Sequence, residues 1–81
     1  MDNLIDDVAV RNEAAVIGTK VRNRRLELGL TQSQLAERVG MRQPAIVRIE
    51  KGTNVPTWRT LSKIADALSV RLDVALVPAE Q

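Results

Sequence analysis

Gln43, Val47 and Arg48 are the residues of this chain with the most direct chemical use. They lie in the run Gln43-Pro44-Ala45-Ile46-Val47-Arg48-Ile49-Glu50-Lys51, where Ile46 and Ile49 recur at helical spacing. With those two isoleucines turned to a core, Gln43, Pro44, Val47 and Arg48 are left on the outer face of the helix. A glutamine amide can pair with the edge of adenine, a guanidinium can grip O6 and N7 of guanine, and a valine can lie on a thymine methyl. Such a set suits a helix inserted in the major groove of DNA, where each good pair is worth roughly 1–3 kcal/mol of discrimination.

The charge distribution supports that use more than the net charge of +2 suggests. Asp2, Asp6, Asp7 and Glu13 against Arg11 give residues 1–13 a charge of −3, and residues 64–81 carry −2. Between them, residues 14–63 hold ten bases against Glu27, Glu37 and Glu50, a block of +7. A basic block between acidic ends is the footprint of a polyanion-binding surface, although arginine and lysine are also ordinary residues of a solvated helix.

Composition removes most alternatives. The chain has 81 residues, no cysteine, no histidine and one aromatic residue. The length suits one small domain that would gain from dimerisation. No zinc finger, thiol or imidazole catalyst, or disulfide framework is available, and no phosphate loop or paired carboxylates suggest an enzyme. A platform of stacked aromatic rings for single strands is equally excluded. No apolar run reaches the ~20 residues of a membrane span. No metal or cofactor is expected.

The elements that must position the outer-face residues are short helices punctuated by glycine. Gly29, Gly40 and Gly52 each follow an apolar-periodic segment, as left-handed glycines that end helices do. A first helix is expected from about Ala14 to Leu28, with Ile17, Val21 and Leu28 inward and Gly18 where another helix comes close. Thr31 caps a second helix with Leu35, Ala36 and Val39 on one face. The third covers about Gln43 to Lys51, with Pro44 in its first turn. Thr57 caps a fourth, which turns Leu61, Ile64, Ala65 and Leu68 inward.

The tail changes period. Leu72, Val74 and Leu76 alternate at strand spacing before Pro78. A lone strand needs a partner, and the same strand of a second copy is the simplest one; a fifth helix or an irregular tail is the alternative. The expected organisation is therefore an acidic arm over residues 1–13, a helical domain over 14–70, and a dimerising strand and tail over 71–81.

Two short helices with a tight glycine turn inside a basic block suggest a helix-turn-helix. The run Leu28-Gly29-Leu30-Thr31-Gln32-Ser33-Gln34-Leu35-Ala36-Glu37-Arg38-Val39-Gly40, then Gln43 to Gly52, then Pro56-Thr57-Trp58-Arg59-Thr60-Leu61 and Lys63-Ile64-Ala65-Asp66-Ala67-Leu68, resembles the phage-repressor or XRE family over about residues 16–70. The resemblance implies an all-α helix-turn-helix domain of four to five helices. It implies that Thr31 and Gln32, at the start of the second helix, face phosphate. Arg42 stands where the family has a small polar cap, so it reads a base edge or clamps a phosphate. Lys51, Gly52, Thr53 and Asn54 offer a cation and backbone N–H groups to neighbouring phosphates, with Arg59 and Arg22 as further cations or plain surface charge.

Arg25 lies on the inward face of the first helix, and a buried guanidinium needs a partner. The family pairs an arginine here with the glutamate ending the recognition helix, which is Glu50. Arg24 occupies a position that is apolar in many relatives, which predicts looser packing there. Trp58 is expected to pack at the core edge or a dimer seam. A minimal helix-turn-helix followed by a β segment, with no effector domain, is most similar to HigA/HipB-type antitoxins. That likeness implies a cytoplasmic homodimer that represses its own operon at a palindromic operator and holds a toxin, a RelE/HigB-like nuclease or a HipA-like kinase. The acidic arm would be a toxin contact or a solvated extension. The alternative is a stand-alone regulator of the same fold.

Overall fold

The computed structural model describes the backbone of residues 3–73 and 78, and side chains from residue 13 onward within that span. Four helices follow one another: α1 (Asn3–Glu27), α2 (Gln32–Val39), α3 (Gln43–Lys51) and α4 (Trp58–Ala67). No strand occurs among the described residues.

Local chemistry sets the helix ends. Thr31 Oγ1 accepts the Gln34 amide at 3.0 Å while Gln34 Oε1 accepts the Thr31 N–H at 2.8 Å, a reciprocal box that starts α2. Thr57 Oγ1 accepts the Thr60 amide at 3.1 Å and starts α4. Gly40 and Gly52 close α2 and α3 with φ of 76° and 74°, a region costly for a side chain with a Cβ.

Around these ends the core assembles as the periodicity predicts. Val21, Leu35, Ala36, Val39, Ile46, Ile49, Ile64, Ala65 and Leu68 are buried, and Ile17 and Leu61 are half-buried. α1 packs chiefly on α3, through small residues. A Cβ on Gly18 would overlap the Ile49 carbonyl oxygen and stand 2.7 Å from that of Glu50. Seen from α3, a Cβ on Gly52 would come within 2.9 Å of Ala15 Cα. At each of these two places a glycine on one helix lets its backbone approach the other's.

The structure corrects three expectations. α1 begins at Asn3, not near Ala14, because residues 3–17 contain no glycine or proline to stop a helix. Leu28 is 38% exposed; α1 ends at Glu27, the chain turns at Gly29, and Leu30 takes the buried place instead. Trp58 is the first residue of α4 and is 58% exposed, so it does not pack at the core edge of this protomer. Arg24, where looser packing is expected, donates its Nε to the Leu68 carbonyl at the end of α4 at 3.0 Å and reaches Glu27 with its Nη1, and it lines an open apolar groove between α1 and α4. At the tail, residues 71–73 adopt no regular secondary structure, with Leu72 half-buried. Val74 and Leu76, the rest of the expected strand, lie outside the described residues.

Candidate nucleic-acid interface

The candidate surface is built from the buried side of α3 outward. Ile46 and Ile49 are locked in the core, which rotates Gln43, Pro44 and Arg48 to the exposed side and leaves Val47 half-buried between them. α3 begins on Arg42, whose extended backbone (φ −85°, ψ 148°) ends the turn from α2 and whose side chain makes no capping bond. Its side chain is exposed, with no hydrogen bond or ion pair to the described residues.

Behind this face runs a connected polar chain. Arg25 grips Glu50 in a fork, Nε to Oε2 at 2.7 Å and Nη2 to Oε1 at 3.0 Å, and its Nη1 donates to the Leu30 carbonyl at 2.8 Å. The two side chains are only 9% and 3% exposed. The hydrogen bond to Glu50 raises the arginine above its ordinary pKa, with their charge attraction helping and burial opposing. The pairing implied for Arg25 and Glu50 is thus present.

Gln32 extends the chain to the surface. Its Nε2 donates to Glu50 Oε1 at 3.1 Å, and its Oε1 accepts from Gln43 Nε2 at 3.1 Å. A carboxylate only accepts, so the amide nitrogen of Gln32 must face Glu50 and its oxygen must face Gln43. Gln43 is left with its own Oε1 and the second hydrogen of Nε2 free, one acceptor and one donor side by side. Adenine presents the complementary pair in the major groove. Sequence reasoning placed Gln32 at a phosphate and missed this link; its signal was the shared buried partner, Glu50, of two elements already assigned as neighbours.

The loop after α3 is arranged differently from the sequence expectation. The N–H groups of Gly52 and Thr53 turn back onto the carbonyl of Arg48, which also accepts the Thr53 hydroxyl at 3.0 Å. These donors close the helix and are not free for phosphate. Lys51 and Asn54 stand exposed beside them, and Arg59 is exposed in the first turn of α4. Thr31 is exposed, with its hydroxyl oxygen and N–H engaged in the α2 box. Arg22 lies exposed on α1. The arrangement thus brings Gln32, Gln43 and Glu50 together and sets the other candidates around them.

Among the described residues no cluster of acidic side chains suits a metal ion, and no helix is long and apolar enough to cross a membrane. Residues 21–74 match the helix-turn-helix family model. An uncharacterised HTH-type transcriptional regulator of Methanothermobacter thermautotrophicus is 48% identical over 50 residues, 62% of this chain and 72% of the relative. One from Archaeoglobus fulgidus is 40% identical over 55 residues, 68% of this chain and 79% of the relative. The cryptic phage CTXphi transcriptional repressor RstR of Vibrio cholerae is 35% identical over 57 residues, 70% of this chain and 51% of its own length. With the capped α2–α3 pair and its exposed outer face in view, the chain belongs to the XRE-type helix-turn-helix family of DNA-binding transcriptional regulators.

Proposed function

We propose that this chain is a non-enzymatic, sequence-specific repressor that acts in the cytoplasm as a homodimer on a palindromic double-stranded operator. The observation that carries this reading is the orientation of Gln43: the Arg25–Glu50–Gln32 chain presents its free acceptor and donor outward on the exposed face of α3. Gln43 reads adenine, Arg48 guanine, and Pro44 and Val47 supply apolar contact to thymine methyls. Arg42 reaches a base edge or a phosphate at the entry of the helix. Gln32, Thr31, Lys51, Thr53, Asn54 and Arg59 surround this face and set its register on the sugar-phosphate backbone, Thr53 contributing no free N–H.

The finer reading is that of a type II antitoxin that autoregulates its operon and neutralises a toxin, with Leu72, Val74 and Leu76 pairing between subunits. The short helix-turn-helix with an alternating apolar tail supports it, while the relatives' names speak only of transcriptional regulation and, for RstR, of repression. A stand-alone regulator of the same fold is the other form of the proposal.

Selection from a randomised duplex pool tests the DNA reading. A two-fold symmetric site is expected, bound with an affinity that falls steeply with salt as phosphate contacts release counterions. Equal affinity for selected and random duplexes overturns it. Affinity capture from the native host, read by mass spectrometry, decides the finer point: a stoichiometric nuclease or kinase marks an antitoxin, and its absence a stand-alone regulator.

A further inference from the structure

α1 and α4 enclose an open groove of about 260 Å³. Ile17 and Val21 from α1, with Leu61, Ile64 and Leu68 from α4 and its end, form an apolar floor. A floor without polar side chains can bury a ligand but cannot orient one, so its chemistry suits packing better than small-molecule recognition.

The chain itself leads into this groove. Arg24 Nε donates to the Leu68 carbonyl at 3.0 Å and ties the end of α4 to α1. Ser69 then turns in the left-handed region, φ 55°, and Val70 and Leu72 come to stand on the groove wall. On either side of half-buried Leu72, Arg71 and Asp73 reach each other, Nε to Oδ1 at 2.9 Å, with side chains 85% and 71% exposed. Side chains two residues apart share a side in extended chain, so the charged pair faces out and Leu72 faces in. Val74-Ala75-Leu76-Val77 follow in the sequence, outside the described residues and without a charge, ahead of exposed Pro78.

We propose that residues 74–77 are a strap that closes the α1–α4 groove of their own chain. The alternation set by Leu72 and the outward pair carries Val74 and Leu76 onto the floor and leaves Ala75 and Val77 outside. Four extended residues cover about 13 Å, and the floor from Ile17 to Arg24 is about 10 Å long, so the reach suffices. A segment from a second copy would have to displace one already tethered at the groove wall, where effective concentration favours the attached chain. Seated by one face, the strap keeps its backbone edge free, which makes the groove a platform on which a partner strand can add. The seating itself needs neither DNA nor a second copy, so its failure and that of the repressor reading are distinguishable.

The chain has no cysteine, so thiol labelling can read the strap one residue at a time. Four full-length variants, Val74→Cys, Ala75→Cys, Leu76→Cys and Val77→Cys, each place a small apolar side chain that preserves packing. Their rates of reaction with a maleimide are measured at several chain concentrations, each against the same variant in urea. Val74→Cys and Leu76→Cys are expected to react at least about tenfold more slowly than their unfolded controls, and Ala75→Cys and Val77→Cys nearly as fast as theirs. Adding Leu61→Ala, which removes part of the floor, should speed labelling at 74 and 76 several-fold and leave 75 and 77 unchanged. Ile17→Ala serves in its place if circular dichroism shows that the Leu61→Ala chain does not fold. Four equal rates, or slow labelling at 75 and 77 instead, overturn the strap. Protection that grows with chain concentration overturns it too, because a second copy then supplies the cover. So does protection that the floor substitutions leave intact, which places the segment elsewhere on the molecule.

Discussion

Gln32 faces Glu50 with its amide nitrogen and Gln43 with its amide oxygen, both at 3.1 Å, so a buried ion pair fixes the orientation of a surface amide. Arg25 holds Glu50 from below through two bonds, and Glu50 Oε1 accepts from Arg25 and Gln32 at once. The pair is buried, and buried pairs rarely stabilise a fold more than apolar residues of the same volume do. Its consequence here is directional: polarity passes from α1 through the end of α3 to α2 and then to the outer face of α3.

That division of labour separates stability from recognition. Arg25→Met leaves the Glu50 carboxylate buried without its cation and should cost about 3–5 kcal/mol in urea unfolding. Adding Glu50→Leu removes the stranded charge, and most of the stability should return. Operator discrimination should not return with it, because Gln32 has then lost the acceptor that sets its amide. Full recovery of both would show that the ion pair has no part in presenting Gln43.

The outer face of α3 makes a second division. Gln43→Ala and Arg48→Ala should each weaken operator binding by roughly 1–3 kcal/mol and relax preference at one position of the site. Lys51→Ala should weaken all duplexes alike and reduce the salt dependence by about one counterion. Titration of each variant against the selected site and a scrambled duplex at several salt concentrations distinguishes them. Equal loss on both duplexes for Gln43→Ala and Arg48→Ala would remove their base-reading role.

Much of this was legible in the sequence, for local reasons. Thr31, Thr57, Gly40 and Gly52 announce helix ends through bonds made within a few residues, and Ile46 and Ile49 determine the outward face of α3 by periodicity alone. Arg25 announced itself as a charge on an apolar face. What was illegible depends on distant partners or missing stops. The Arg24 bond to the Leu68 carbonyl spans 44 residues, and nothing local distinguishes that arginine from a surface one. The early start of α1 was hidden because a run of acids reads as a tail, whereas acids near a helix N-terminus favour it. Leu28 was misplaced by extending a helical period across the turn that ends it.

Gly18 shows how tightly α3 is seated. Gly18→Ala sets a methyl against the Ile49 and Glu50 carbonyls, backbone atoms that cannot swing aside as a side chain can. α1 and α3 must separate, and a loss of about 3 kcal/mol in chemical unfolding is expected. Gly29→Ala is the control: its Cβ meets nothing within 4 Å, and only its left-handed φ of 70° is strained, at about 1 kcal/mol. Equal losses for the two variants would show that helix spacing is not the cause.

Ser69 offers the opposite experiment, a gain. It is the one non-glycine residue among those described with a positive φ, 55°, and it ends α4 by donating its N–H to the Asp66 carbonyl, while Val70 donates to that of Ala65. Three other turns of the chain place glycine in this conformation, at Gly29, Gly40 and Gly52. A Cβ in the left-handed region costs about 1 kcal/mol or more, of which the greater freedom of glycine in the unfolded chain returns part. Ser69→Gly should therefore raise stability by about 0.5 kcal/mol, read as a higher urea midpoint at constant slope, with operator binding unaltered. A lowered midpoint would mean that the serine side chain secures the end of α4 by a contact worth more than the strain it imposes.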